Sequence, residues 1–140
     1  MAEQTYVQTP AAVRISSDWL LRLALASVFI FHGISKVQGL MAGGPVPMGH
    51  SFEVWSLVAF AEVAGGVGII LGGLLAGFMG DIITRLSGLA VVPVMLGAIV
   101  MVHWGRWSFV PSDTHPMGGM EFQVVLMLIG LYFVLRGNNE

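Results

Sequence analysis

The chain has 140 residues, 56% of them hydrophobic and only 10% charged, less than half of the roughly 25% charge that soluble domains carry. So little charge cannot cover a soluble fold, and a net charge of −2 with Lys and Arg scattered singly leaves no basic groove for nucleic acid and no polybasic lipid-binding run. Cysteine is absent, which excludes dithiol exchange, Cys-ligated iron–sulfur clusters, thiolate zinc sites and disulfides, so any redox chemistry must come from a bound cofactor.

Residues 1–17 are polar and mixed, with Pro10 and Arg14, and read as a tail. Asp18 is placed to cap a first apolar helix from Trp19 to Gln38, about 30 Å long at ~1.5 Å per residue. Arg22 lies inside this stretch and Lys36 near its end, which argues for a retained helix rather than a cleaved signal peptide. Gly39 to Ser51, with Gly43, Gly44, Pro45, Pro47 and Gly49, opposes helix and reads as an exposed loop. The second span runs from Glu53 to Met79, interrupted by one charge, Glu62. Its glycines form two small-xxx-small pairs, Gly68 with Gly72 and Gly73 with Gly77, which favour close helix packing in lipid.

Gly80 and Asp81 make a short connection to a third span, Ile82 to Trp104, in which Pro93 predicts a kink. A second long loop, Arg106 to Gly119, lies on the same side as the first, and Met120 to Leu135 forms a short fourth span. Arg136, Gly137 and two asparagines end the chain in water. The expected fold is therefore all-α, an integral membrane four-helix bundle over residues 18–136 with a closing tail over 137–140 and both termini on one side. Arg14, Arg22, Arg85 and Arg136 fall on the terminal side and Lys36 and Arg106 on the other, a bias that puts both termini in the cytoplasm.

Ionisable residues inside the hydrocarbon gather toward the loop side. Arg22, Leu25, Phe29, His32 and Lys36 recur at steps of three and four and share one helix face. His32 lies about 9 Å from the loop-side end of its helix and Glu62 about 13 Å from the start of the second, at ~1.5 Å per residue. His103 ends the third span and Glu121 begins the fourth. A charge at the bilayer centre costs roughly 2.5 kcal/mol or more, and pairing across helices is the usual relief, so Glu62 pairs with Lys36 or with His32. A purely structural account lets Lys36 snorkel to the interface, Glu121 cap the fourth helix and Arg22 reach lipid phosphate. His32 and His103 also admit a haem b with both as axial ligands. Nothing in the spacing demands haem or a metal ion, and neither is expected.

The pattern resembles the DoxX family of small bacterial membrane proteins, which includes the DoxD-type subunit of thiosulfate:quinone oxidoreductase. Carrying the resemblance are Leu21-Arg22-Leu23, Phe31-His32-Gly33 and Lys36 on the first helix, then Ala61-Glu62 with Gly65-Gly66 and Gly72 on the second. Thr84-Arg85-Leu86 opens the third helix, His103 closes it, and Gly118-Gly119-Met120-Glu121 begins the fourth. One departure is that the stretch from Gly72 to Thr84 looks longer than the compact turn of the family.

The resemblance implies a bacterial inner-membrane protein in a redox-linked system, alongside other subunits, with quinone as the lipid-soluble electron acceptor. On that reading a pocket lined by His32, Lys36, Glu62, His103 and Glu121 binds quinone, and His32, Glu62 and His103 hydrogen-bond it and relay protons. The alternative is a non-catalytic accessory subunit whose glycine-rich helices stabilise a larger respiratory or photosynthetic complex. A small transporter with Glu62 as its proton site is a third reading, less favoured without an internal repeat.

Overall fold

The computed structural model describes residues 16–138. The tail expected over residues 1–17 therefore falls almost wholly outside the described residues, as do residues 139–140. Four helices follow in order, α1 (Asp18–Met41), α2 (Phe52–Leu74), α3 (Gly77–Ala98) and α4 (Glu121–Arg136), and no strand occurs among the described residues. Each helix packs on the next, and α1 meets α4 more sparingly. α1, α2 and the stretch Gly77–His103 are each long and apolar enough to cross a membrane. α4 has 16 residues, about 24 Å at ~1.5 Å per residue.

Ser51 fixes the start of α2, its hydroxyl accepting from Val54 N at 3.3 Å and so satisfying an otherwise unpaired first-turn donor. The end of α2 differs from expectation. It stops at Leu74 rather than Met79, because Leu75 and Ala76 adopt extended backbone and Gly77 takes a φ of +70°, a left-handed geometry that only glycine enters freely. Gly80 and Asp81 thus lie inside α3, and the connection is residues 75–76, shorter than the stretch read from the sequence. Gly73 and Gly77 consequently form no packing pair on one helix. α3 continues through Pro93 and its hydrogen bonding widens into a π-helical turn at Ile99–His103.

Leu25, Phe29, Ile69, Val91, Leu126 and Phe133, drawn from all four helices, form the core and are each at most 4% exposed. Leu20, Phe31, Phe60, Leu71, Leu89 and Leu128 point outward instead, an apolar exterior suited to acyl chains rather than water. Glycine lets the helices touch where they cross. A Cβ on Gly66 of α2 would lie 2.8 Å from Ile30 Cγ1 and 3.0 Å from Ile30 N of α1, and one on Gly130 of α4 would lie 2.7 Å from Val91 Cγ1 of α3.

Three terminal-side expectations are corrected by the packing. Asp18 is the first residue of α1 and does not cap it: its carboxylate accepts from Tyr132 Oη of α4 at 2.6 Å and sits 3.5 Å from Arg136 Nε. Arg22 does not reach for lipid phosphate but is buried at 3% exposure. Its guanidinium donates to Ile69 O at 2.6 Å, Thr84 Oγ1 at 3.1 Å and Asn138 Oδ1 at 2.6 Å. Asn138 in turn is not in water, for its side chain donates to Gly72 O at 2.7 Å and its backbone N–H to Asp81 Oδ1 at 2.8 Å. Buried polar groups need partners, and here the chain end supplies one.

Candidate functional site

The polar contacts that join α1 to α4 are at the terminal side, where Asp18 meets Tyr132 and Arg136. Toward the loop side the four helices enclose a cavity of about 370 Å³, within the size range of small-molecule sites. Phe29, Met95 and Leu126 give it an apolar floor, while Lys36, Glu62 and His103 line its walls. A second cavity of about 330 Å³, walled by residues 44–48, shares His32, Lys36 and Trp55 with the first.

Lys36 and Glu62 pair across α1 and α2. Lys36 Nζ donates to Glu62 Oε1 at 2.9 Å and Oε2 at 2.7 Å, with the Lys36 side chain 17% exposed and that of Glu62 6%. The backbones come close enough because Gly33 faces α2: a Cβ there would lie 2.8 Å from Val63 N. Lys36 therefore turns inward instead of snorkelling. Its ammonium also stands 5.3 Å from the centroid of the Trp55 ring, a cation–π distance, and the His50 ring stacks on the same indole at 5.9 Å.

His32 lines the cavity but makes no hydrogen bond among the described residues, and it meets Phe31 edge-on at 5.4 Å. The alternative Glu62–His32 pairing is not formed. His103 is 7% exposed, with Nδ1 2.9 Å from Gly118 O and Nε2 3.0 Å from Gln123 Nε2. Both ring nitrogens thus have a partner. Glu121 departs most from expectation. It lies outside the cavity lining, and its carboxylate accepts from Phe109 N at 3.2 Å, so it ties down the second loop instead of facing the cluster.

That loop is folded rather than slack. Gly119 N donates to Ser108 O at 2.8 Å, Met120 N to Arg106 O at 2.9 Å and Glu121 N to Trp107 O at 2.9 Å, while His115 Nε2 lies 2.9 Å from Trp104 O. It presents the Gly118 carbonyl to His103. Two cavity residues escaped sequence reasoning, Trp55, which reads as an interfacial anchor, and Gln123. The steps of three and four from Gln123 through Leu126 and Gly130 to Phe133 mark one buried face of α4, and that signal could have found the latter.

A family model described as DoxX matches residues 17–104, more than half of the chain. The chain belongs to the DoxX family. The matched segment holds α1, α2 and α3 with its π-helical turn, and so carries Lys36, Glu62 and His103. A Bacillus subtilis (strain 168) protein named "Putative oxidoreductase CatD" is 28% identical to this DoxX protein over 124 residues, covering 86% of this chain and 78% of that relative. No solved structure matches the chain.

Proposed function

We propose that this DoxX protein is a quinone-linked subunit of a membrane redox system that binds a quinone ring in its loop-side cavity. The observation that carries the reading is the Lys36–Glu62 ion pair on the wall of a cavity that is otherwise largely apolar. A charge pair retained within apolar helices is costly, and such groups mark substrate or proton pathways. The oxidoreductase name of the Bacillus relative supports the redox half of the proposal.

A bound quinone would supply two-electron, two-proton chemistry that this cysteine-free chain lacks. The chain's own tasks are then to hold the ring against Phe29, Met95 and Leu126, to exclude water, and to keep Glu62 and His103 within reach of the ring oxygens. Electrons come from a partner subunit. We place the protein in a bacterial inner membrane with both termini in the cytoplasm, which the excess of arginine on the terminal side supports.

The accessory-subunit alternative rests on the glycine content of α2 and on the lack of a self-sufficient redox group. Gly66 faces Ile30 and Gly72 faces Thr84, so these glycines are used within the bundle. Purification in mild detergent with identification of co-purifying quinones and proteins tests the choice. In nanodiscs, the paired neutral variant Lys36→Met with Glu62→Gln is expected to weaken quinone binding at least tenfold. Unchanged affinity in a folded double variant rejects the quinone site.

A further inference from the structure

The hydrogen bonds at His103 fix which atoms it presents. A carbonyl oxygen can only accept, so the 2.9 Å contact with Gly118 O places the imidazole proton on Nδ1. In the neutral ring Nε2 is then a bare acceptor, and its partner at 3.0 Å, Gln123 Nε2, is the donor. This order also fixes the amide's orientation. Gln123 Oε1 is left buried with no partner among the described residues.

Gln123 thus holds His103 by one neutral hydrogen bond, its acceptor end unused, and both residues line the cavity. Such an amide is readily turned aside by a ligand that offers a better-placed donor, because only one neutral bond is exchanged for another. The exchange works for a hydroxyl and fails for a carbonyl, since two acceptors cannot share a proton that neither carries. Lys36 gives two of its three N–H donors to the Glu62 oxygens, and the third can donate to a carbonyl or a hydroxyl oxygen alike, so it favours neither form. His32 and His50 also line the cavity, on α1 and the first loop, and do not alter what His103 offers.

We propose that the cavity binds the reduced, hydroxyl-bearing form of an aromatic ring lipid in preference to its oxidised carbonyl form, with His103 Nε2 as the discriminating acceptor and the Gln123 amide as its displaceable stand-in. The inference rests on the quinone reading above and sharpens it to one redox state. His103 is a specificity-determining residue here, and Gln123 is its resting partner.

Equilibrium binding to the full chain in lipid nanodiscs tests it, with a short-chain benzoquinol held reduced under anaerobic conditions and the matching benzoquinone as probes. The quinol is expected to bind at least tenfold tighter. Gln123→Met, which removes the competing donor at similar volume, tightens quinol binding several-fold and raises the quinol-to-quinone affinity ratio. His103→Phe brings both probes to the weaker quinone level. Equal affinities, or tighter quinone, in the unaltered protein overturn the inference while leaving the quinone site standing, and so does weaker quinol binding in Gln123→Met. Binding of neither probe overturns both.

Discussion

Arg22 Nη2 and Asn138 Oδ1 lie 2.6 Å apart although 116 positions separate them in the chain. The same oxygen also accepts from Thr84 Oγ1 at 2.7 Å, so the last described residue joins α1 to α3 while its amide N–H holds Gly72 of α2. Replacing Asn138 with Ala leaves a buried guanidinium N–H and the Gly72 carbonyl without protein partners, a loss of about 1–3 kcal/mol for each such group that water does not reach. Asn138→Ala is expected to lower the detergent-solubilised midpoint of thermal unfolding by several degrees. A midpoint within error of the parent would mean that water replaces the amide at no cost.

Breaking the Lys36–Glu62 pair from one side leaves an uncompensated charge in the bundle. Removal of one partner from a buried pair costs about 3–5 kcal/mol, lessened here by the screening that the 17% exposure of Lys36 admits. Lys36→Met and Glu62→Gln should each destabilise strongly, and the double variant should recover most of the loss. A double-mutant cycle in denaturant reads the coupling directly, and additive losses would contradict it.

Two glycines with opposite surroundings make a paired test of packing. Gly66→Ala forces a methyl within 2.8 Å of Ile30 Cγ1 and 3.1 Å of Phe29 Cβ, an overpacking penalty of about 1–3 kcal/mol. Gly97→Ala meets nothing within 4 Å and gains helix propensity of up to about 1 kcal/mol. Thermal unfolding should move in opposite directions for the two.

Tyr132→Phe removes the 2.6 Å hydrogen bond to Asp18 Oδ1 but leaves Arg136 beside the carboxylate. The expected loss is about 1 kcal/mol. Amide hydrogen exchange should show it as faster opening at the start of α1, with the loop-side half of the bundle unaffected.

Position along each helix was readable from the sequence and direction around it was less so. Long apolar runs and the three-to-four spacing located the helices, the loops and the loop-side collection of polar residues. The end of α2 was hidden because Leu74, Leu75 and Ala76 continue the apolar run without a polar break, leaving Gly77 as the single mark of the turn. Glu121 has the expected depth but faces the loop backbone, an azimuth that one residue at a helix start cannot reveal. Asn138 reads as solvated because its partners come from three distant helices, and no local pattern encodes that return.

The 16 residues of α4 leave it roughly 6 Å short of a ~30 Å hydrocarbon slab. Exposed Trp107, Phe109, Val110 and Met117 lie in the loop that leads into it and give that loop an apolar surface. A slab of ordinary thickness beside α4 would have to be completed by this loop, with the joint next to Gly118, whose carbonyl meets His103. Longer acyl chains would stretch that joint, and hydrophobic mismatch would be transmitted to the imidazole it orients.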